Sequence, residues 1–284
     1  VVIIIFLDFY GLFNKFQINS QIKDKLGVDS IGTIPHTKNF KLNNQDLLNN
    51  HDMLKNKLLI DSVKKTIFRL LANKKINNNA FIVTSPLSSD GKTFLTVLLA
   101  LTAKQMGKKV LLIDMDVEKR TLTKLFSEKN NKNSKSKGFL DLKENLFKEG
   151  DLDDYIFTDE KNEIDIISSG WNPTTSKTNA VDNQKELELF FSSLSNKYDM
   201  ILCDTMPITY HPDLVLISAF TSSILTLRCN STPIGVTSDI INEYKKSDLR
   251  MPFIIFNDID FSSKRVFRLL NFTTSGSYGY GYGY

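Results

Sequence analysis

The sequence predicts an α/β fold in three layers, with a mainly parallel β-sheet between two layers of helices. Short apolar runs, typical of buried strands, alternate with longer segments whose composition or apolar spacing is typical of helices. In such an alternation each helix connects two parallel strands, so helices cover both faces of the sheet. Of the 284 residues, 41% are hydrophobic and 24% are charged, which is the ordinary composition of a globular protein.

The elements are predicted from these runs in chain order. The first helix is predicted at 61–72, where Val63, Ile67, Leu70 and Leu71 have the spacing of an apolar helix face. The strands are predicted at 80–84, 109–114, 164–167, 200–204, 223–229 and 253–257. The other helices are predicted at 92–106, 184–196 and 235–246.

Composition narrows the class of function. Lys and Arg exceed Asp and Glu by 36 − 32 = 4 charges, a small excess that does not indicate a nucleic-acid partner. Cys203 and Cys229 lie in apolar runs, which favours reduced core residues in a cytosolic compartment over a disulfide scaffold.

A phosphate-binding loop is predicted between the strand at 80–84 and the helix that follows it. Residues 85–93 read Ser-Pro-Leu-Ser-Ser-Asp-Gly-Lys-Thr. The backbone N–H groups of such a loop can surround phosphate oxygens. Lys92 would then contact the β- and γ-phosphates, and Thr93 would place its hydroxyl on Mg²⁺. Pro86 stands where the complete motif has its first glycine, so the match is incomplete.

Two apolar strands end in aspartate. Asp114 and Asp116 follow the strand at 109–114, and Asp204 ends the strand at 200–204. In open α/β sheets, ligands bind beyond the carboxyl ends of the strands. Carboxylates there would hold Mg²⁺, directly or through water, or accept a proton from an attacking hydroxyl. The alternative for each aspartate is a cap on the turn or helix that follows.

The two ends of the chain differ from the rest. The first seven residues, 1–7, are all apolar, but they are too few to span a bilayer, which needs about 20. A Tyr-Gly repeat places four of the nine tyrosines in the last seven residues. This repeat is either a low-complexity terminus or a set of phosphate acceptors.

The ordered set of motifs resembles that of the bacterial tyrosine kinases (BY-kinases) of the polysaccharide co-polymerase family. The segments 85–93, 114–116 and 204–207 resemble the Walker A, A′ and B motifs of that family. Further similar stretches lie at 26–28, 31–36, 168–170, 172–173 and 257–258. The tyrosine-rich end also agrees with the family.

The resemblance implies a P-loop NTPase-like fold and a domain order. The expected order is the end of a truncated transmembrane helix at 1–7, a juxtamembrane linker at 8–54, a P-loop tyrosine kinase domain at 55–271 and a flexible tyrosine-rich tail at 272–284. Such a chain is expected at the cytoplasmic face of the bacterial inner membrane.

The resemblance also implies an autophosphorylating protein-tyrosine kinase that uses ATP and Mg²⁺ and regulates capsule or exopolysaccharide polymerisation and export. The expected catalytic residues are Lys92, Asp114 and Asp116, and the expected metal-binding residues are Thr93, Asp116 and Asp204. The residues expected to bind the nucleotide are Ser88, Ser89, Asp90, Gly91, Lys92, Thr93 and Phe94. The expected phosphate acceptors are Tyr278, Tyr280, Tyr282 and Tyr284.

The implied partners are of several kinds. They are other subunits of the same chain in a ring, a membrane-spanning chain-length-determinant region, the polysaccharide export machinery and a tyrosine phosphatase, with no nucleic acid. The Glu-x-x-Arg-x-x-Arg helix motif, which mediates ring contacts in the family, aligns here with Thr66, Arg69 and Ala72, so only one of its three charges is present.

Two alternative functions stay open. A MinD/ParA-like ATPase shares the fold, but the signature lysine of that class would fall at Leu87. The other alternative is a catalytically degenerate nucleotide-binding module of the export machinery. Glu118 favours it, because the family has arginine at this position of Walker A′, although Lys119 and Arg120 follow. Autophosphorylation or ATP hydrolysis would separate this module from a kinase.

Overall fold

The computed structural model describes residues 15–16, 20–37, 56–73, 79–130, 137–145, 152–170, 184–210 and 221–260. Its strands are β1 (Ser30–Pro35), β2 (Ala80–Thr84), β3 (Val110–Asp114), β4 (Ile156–Asp159), β5 (Ile164–Ile167), β6 (Met200–Asp204), β7 (Ser222–Arg228) and β8 (Phe253–Ile259). Its α-helices are α1 (Ser20–Leu26), α2 (Lys57–Leu71), α3 (Lys92–Gln105), α4 (Thr121–Asn130), α5 (Phe139–Asn145), α6 (Gln184–Ser195) and α7 (Ile234–Lys246). A 3₁₀ helix, Leu152–Tyr155, precedes β4.

Within the described residues the strands form one sheet of eight, in the order β1-β8-β7-β2-β6-β3-β5-β4. Neighbouring strands are parallel except for β4 and β5, which are antiparallel. The central strands β2, β3 and β6 are buried at every position. This burial explains why their sequences are continuous apolar runs, as is usual for parallel strands covered on both faces.

The sheet lies between two apolar clusters, which make it the middle of three layers. In β2, Phe81 and Val83 pack in the cluster that includes residues of α2, α3 and α4. Ala80 and Ile82 pack in the cluster that includes residues of α1, α5, α6 and α7. Successive residues of a strand point to opposite faces, so each central strand contributes to both clusters. The predicted α/β fold with a mainly parallel sheet is confirmed.

The predicted long elements agree with the structure within a few residues at their ends. Helix α2 begins at Lys57, four residues before the predicted start, because the side chain of Asn56 accepts a hydrogen bond from the N–H of Leu59 at 3.2 Å and caps the helix. The sequence predicted only turns or short extended pieces at 31–36, where β1 lies, and did not predict α1, α4, α5 or β4, each of which has ten residues or fewer. None of them is a continuous apolar run like β2, β3 and β6, and the helices among them are too short to show a clear apolar period.

Part of the segment predicted as a juxtamembrane linker contributes to the core. Helix α1 buries Ile22 and Leu26, and β1 forms the edge of the sheet beside β8. The backbone N–H of His36 donates to the carbonyl of Ile259 at 2.8 Å and extends this pairing. The predicted transmembrane end at 1–7 lies outside the described residues, and the division of the chain into domains stays a prediction. Within the described residues, no helix has the length and apolar character that a membrane span needs.

Two residues aligned with the ring-contact motif attach α2 to β1. Thr66 is buried, and a Cβ atom added at Gly32 would overlap the side chain of Thr66, so helix and strand are in close contact. Arg69 donates from Nη1 to the carbonyl of Ile31 at 2.9 Å. Both residues therefore make contacts within their own chain, and ring assembly through this helix stays a prediction.

Candidate nucleotide-binding and active site

The loop from residue 85 to residue 91 connects β2 to α3 at the carboxyl edge of the sheet. Ser89 and Gly91 have φ angles of 69° and 93°, in the left-handed region that glycine adopts readily and serine does not. Gly91 directly precedes α3, so the loop leads into a helix N-terminus, where free N–H groups and the helix dipole attract anions. This strand–loop–helix arrangement is the one that a phosphate-binding loop requires.

The side chain of Asp90 is buried and makes a hydrogen bond within the loop. It is 1% exposed, and its Oδ2 accepts a hydrogen bond from the N–H of Leu87 at 3.1 Å. Burial raises the pKa of Asp90 to about 6, although the bond from Leu87 and the positive charges of Lys92 and Arg228 oppose the rise. The ionised form of this carboxylate therefore destabilises the folded loop.

Asp90→Asn is expected to raise the free energy of unfolding above pH 7 by about 3 kcal/mol, since each pKa unit corresponds to about 1.4 kcal/mol. The amide oxygen of the asparagine can still accept the hydrogen bond from Leu87. A carboxyl group whose folded pKa is raised holds its proton longer in the folded state, so the wild type loses stability as pH rises from about 4 to about 6. Urea denaturation across this range measures the difference.

The advantage of Asp90→Asn should vanish near pH 4 and be complete above about pH 7. The exposed Asp24 on α1 provides the matched control, because Asp24→Asn removes a carboxylate without changing a buried group. An Asp90→Asn protein that is no more stable than the wild type at any pH would contradict the destabilising role of the buried charge.

Lys92, Thr93 and Asp204 meet where α3 begins. Strand β6 lies beside β2 with Asp204 opposite Val83, and this register brings the carboxylate next to the loop. Thr93 donates from Oγ1 to Oδ2 of Asp204 at 2.6 Å. Asp204 is fully buried, and its Oδ1 has no hydrogen-bond partner among the described residues. A buried carboxylate oxygen without a partner is costly, and a bound cation would satisfy it.

The charges of the site are buried together. Burial raises the pKa of Asp204, and the carboxylate of Asp114 raises it further, while Thr93 and Lys92 oppose the rise. Lys92 is 7% exposed, and burial lowers the pKa of its ammonium group although Asp204 and Asp116 counteract this. When ionised, the carboxylates of Asp114, Asp116 and Asp204 would outnumber the ammonium group of Lys92, and a divalent cation would offset the excess negative charge.

Asp114 and Asp116 have different surroundings after β3. Asp114 accepts from the N–H and the Oγ1 of Thr123, both at 2.7 Å, and from the N–H of Asp116 at 3.1 Å. Burial raises the pKa of Asp114 to about 6, and the bonds from Thr123 oppose the rise. Asp116 is buried beside Lys92 and close to Asp204, whose pKa values it influences. Asp114 therefore attaches α4 to the sheet and holds Asp116 in place.

The positively charged side chain of Lys119, one residue after Glu118, contacts the loop. Glu118 is exposed, whereas the Nζ of Lys119 donates to the Oγ of Ser88 at 2.9 Å. Arg120 turns back on its own segment, because its Nε donates to the carbonyl of Val117 at 2.9 Å. Lys119 thus provides a positive charge beside the loop although the arginine of the family motif is missing.

The structure brings the predicted loop residues and strand-end aspartates together, and Phe94 lines a pocket of about 140 Å³ beside them. The predicted acceptors Tyr278, Tyr280, Tyr282 and Tyr284 lie outside the described residues. Sequence reasoning assigned no role to Arg228, Asn257 or Thr123, although Arg228 and Asn257 bond to the loop and Thr123 bonds to Asp114. The available signal for Arg228 and Asn257 was a polar residue at the end of an apolar strand.

The site suits Mg²⁺ better than a metal that needs several side chains. Thr93 and Asp204 offer two oxygen ligands, and Mg²⁺ usually keeps several waters besides one or two carboxylates and substrate phosphates. No group of three or more His, Cys, Asp or Glu side chains that could hold a metal occurs within the part of the chain that the structure describes.

The parallel sheet, the loop that leads into a helix and the two strands that end in aspartate together define a P-loop NTPase-like α/β protein. A family model described as an AAA domain matches residues 89–251, which is more than half of the chain, and the chain belongs to this family.

Similar proteins include bacterial tyrosine kinases. Over 187 residues the chain is 26% identical to the tyrosine-protein kinase ptk of Acinetobacter johnsonii, with 66% of this chain and 24% of that protein covered. The chain thus spans about a quarter of the length of the first curated relatives it matches. The kinase domain of the Escherichia coli tyrosine kinase ETK aligns with a TM-score of 0.67 at 20% identity, covering 92% of this chain and 97% of that chain.

A plasmid partition protein of Borrelia burgdorferi bound to AMPPNP is also similar, with a TM-score of 0.51 and 23% identity over 70% of this chain and 81% of that chain. At 20% and 23% identity, the ETK domain and the partition protein show only that the fold is shared. The resemblance to tyrosine kinases rests on the named kinase relatives. The predicted resemblance to the bacterial tyrosine kinases is confirmed.

Proposed function

We propose that the chain is the kinase region of a bacterial protein-tyrosine kinase that transfers the γ-phosphate of ATP to tyrosines of its own C-terminal end. One observation carries the proposal: Lys92 and the hydrogen-bonded pair of Thr93 and Asp204 lie together where the loop enters α3. The similarity to named tyrosine-protein kinases supports tyrosine as the acceptor.

The chain's own residues divide the binding work. The N–H groups of the loop and the ammonium group of Lys92 bind the phosphate oxygens. Thr93 and Asp204 would hold Mg²⁺, with the carboxylate of Asp116 beside them, and the ion when bound would supply positive charge to the transferred phosphate. Lys119 adds a further positive charge through its contact with Ser88.

Phosphate transfer needs a group that accepts the proton of the tyrosine. The phenolic oxygen forms a bond to the γ-phosphorus, the bond between that phosphorus and the oxygen of ADP breaks, and the proton passes to the carboxylate of Asp116. The products are phosphotyrosine and ADP. Asp114 keeps Asp116 in position, because the Oδ1 of Asp114 accepts a hydrogen bond from the N–H of Asp116 at 3.1 Å.

We place this kinase at the cytoplasmic face of the inner membrane, where it regulates the polymerisation and export of capsule or exopolysaccharide. Its partners are other copies of the chain, a membrane-spanning chain-length-determinant region, the export machinery and a tyrosine phosphatase. Each phosphotyrosine adds about −1.5 to −2 charges. Several phosphotyrosines on one tyrosine-rich end repel one another, and this repulsion releases the end from an adjacent subunit.

Incubation of the full chain with ATP and Mg²⁺, followed by mass spectrometry, tests the proposal. Phosphate is expected on Tyr278, Tyr280, Tyr282 and Tyr284, with none when Mg²⁺ is replaced by a chelator. A variant with phenylalanine at all four positions is the matched control and should lose the phosphate while it still binds ATP.

Two outcomes would contradict the kinase. ATP hydrolysis without phosphotyrosine would favour a MinD/ParA-like ATPase. ATP binding with neither hydrolysis nor phosphotyrosine would favour the catalytically degenerate assembly module.

A further inference from the structure

A chain of polar side chains connects the loop to the residues that follow β1. The Nδ1 of His36 lies 2.6 Å from Oδ1 of Asp258. Oδ2 of Asp258 accepts from Nε of Arg228 at 2.8 Å, and Nη1 of Arg228 donates to the carbonyl of Ser89 at 3.1 Å. Because β7 and β8 lie on the other side of β2 from β6 and β3, this chain reaches the loop from the side opposite Asp204.

A second side chain from β8 acts on the next carbonyl of the loop. The Nδ2 of Asn257 donates to the carbonyl of Asp90 at 3.2 Å. In a planar trans peptide, a carbonyl and the N–H of the following residue point in opposite directions. Arg228 therefore sets the direction of the Asp90 N–H, and Asn257 sets that of the Gly91 N–H. Both N–H groups point away from the side chains that hold the carbonyls, and N–H groups are what a phosphate loop uses.

The loop depends on such external support because its own backbone conformation is unfavourable. Ser89 has a φ of 69°, which a residue other than glycine keeps only when its surroundings impose it. Arg228 supplies a charge-assisted hydrogen bond to the carbonyl of that residue. The arginine in turn is oriented, since its Nε and Nη1 have different partners and the rigid guanidinium plane cannot satisfy both in another direction.

Asp258 holds both of its neighbours as an ionised group. Burial opposes ionisation, but the hydrogen bonds from His36 and Arg228 outweigh it and keep the pKa of Asp258 below its usual value. The carboxylate is 25% exposed, whereas Arg228 and His36 are each 41% exposed. The contact between His36 and Asp258 therefore joins a residue at the end of β1 to an arginine that touches the loop.

We propose that Arg228 is a positioning residue for nucleotide binding, and that His36, acting through Asp258, fixes its orientation, so that the segment ahead of α2 helps to set the affinity for ATP. This inference rests on the nucleotide binding in the proposed function but not on phosphate transfer. Its tests therefore measure binding alone.

Isothermal titration of the protein with ATP and Mg²⁺ tests this series of side-chain contacts. Arg228→Lys, which keeps the charge but cannot make both hydrogen bonds, should weaken ATP binding about tenfold. His36→Ala should weaken it about threefold to tenfold, and the double variant should bind no more weakly than Arg228→Lys alone. His36→Gln, whose amide can donate to Asp258, should restore most of the affinity lost in His36→Ala.

Lys23→Ala is the matched control. It removes an ion pair of 3.1 Å with Asp29 in the same segment but leaves the contacts among His36, Asp258 and Arg228 unchanged. It should leave ATP affinity unchanged. Thermal unfolding without nucleotide should show the same midpoint for His36→Ala as for the wild type, so that weaker binding reflects positioning rather than loss of fold.

Unchanged ATP affinity in His36→Ala would overturn the inference, and so would independent, multiplying effects of the two substitutions in the double variant. A wild type that binds ATP but forms no phosphotyrosine would contradict the proposed function alone. A wild type that binds no ATP would overturn both.

Discussion

Lys92→Met is expected to weaken the binding of ATP with Mg²⁺ about 100-fold or more, since removal of one member of a buried charge pair costs about 2–5 kcal/mol. The ammonium group lies near Asp204 and Asp116, so its loss leaves these buried carboxylates uncompensated. The phosphates of ATP would then meet uncompensated negative charge at the site. Phosphotyrosine on the chain should fall to background.

Isothermal titration and a phosphotyrosine blot measure the two effects of this substitution. Lys104→Met is the matched control, because Lys104 lies in the last turn of the same helix and pairs at 2.9 Å with the exposed Glu163. Its ATP affinity should equal that of the wild type. If Lys92→Met binds ATP within about threefold of the wild type, the loop does not bind phosphate as a P-loop does.

Gly91→Ala is expected to remove ATP binding and to lower the free energy of unfolding by about 3 kcal/mol. Gly91 has a φ of 93°, which strains any other residue. The added Cβ would also overlap Nδ2 of Asn257, which would have to move and leave the carbonyl of Asp90 without its donor. Urea denaturation and isothermal titration measure the two losses.

A second glycine separates the strain of the backbone from the contact with Asn257. Gly107 has a φ of 76°, but no atom lies within 4 Å of a Cβ built there. Gly107→Ala should therefore cost only about 1 kcal/mol and leave ATP affinity unchanged. Equal stability losses and equal ATP affinities in the two variants would mean that the contact with Asn257 does not shape the loop.

Much of the fold was predictable because its central part has strong local signals. Strands β2, β3 and β6 are buried on both faces, so each is a continuous apolar run that stands out in the sequence. Strand β1 has no such run, and only part of it is buried. Its structure depends on pairing with β8, more than 200 residues further along the chain, as Ser30 lies opposite Ile254. No local pattern could show that pairing.

Some parts of the candidate site were likewise predictable from local sequence, and others were not. The Gly-Lys-Thr sequence and the strand-end aspartates are local signals, and the sequence predicted their positions beside one another. The contact of Arg228 with Ser89 requires that β7 lie next to β2, which only the order of strands in the sheet decides. The contact of Asp114 with Thr123 depends on where α4 begins, and the sequence left open whether this aspartate acts in catalysis or as a cap.

The parallel pairing of β1 with β8 also has a mechanical consequence. Tension applied at Ser30 would act along β1 and would load the slanted hydrogen bonds that hold it to β8 largely in shear. Several of these bonds share the load at once, so the strand resists sliding until they break together. His36, which directly follows β1, would then stay in contact with Asp258 under a weak pull and lose it abruptly under a strong one.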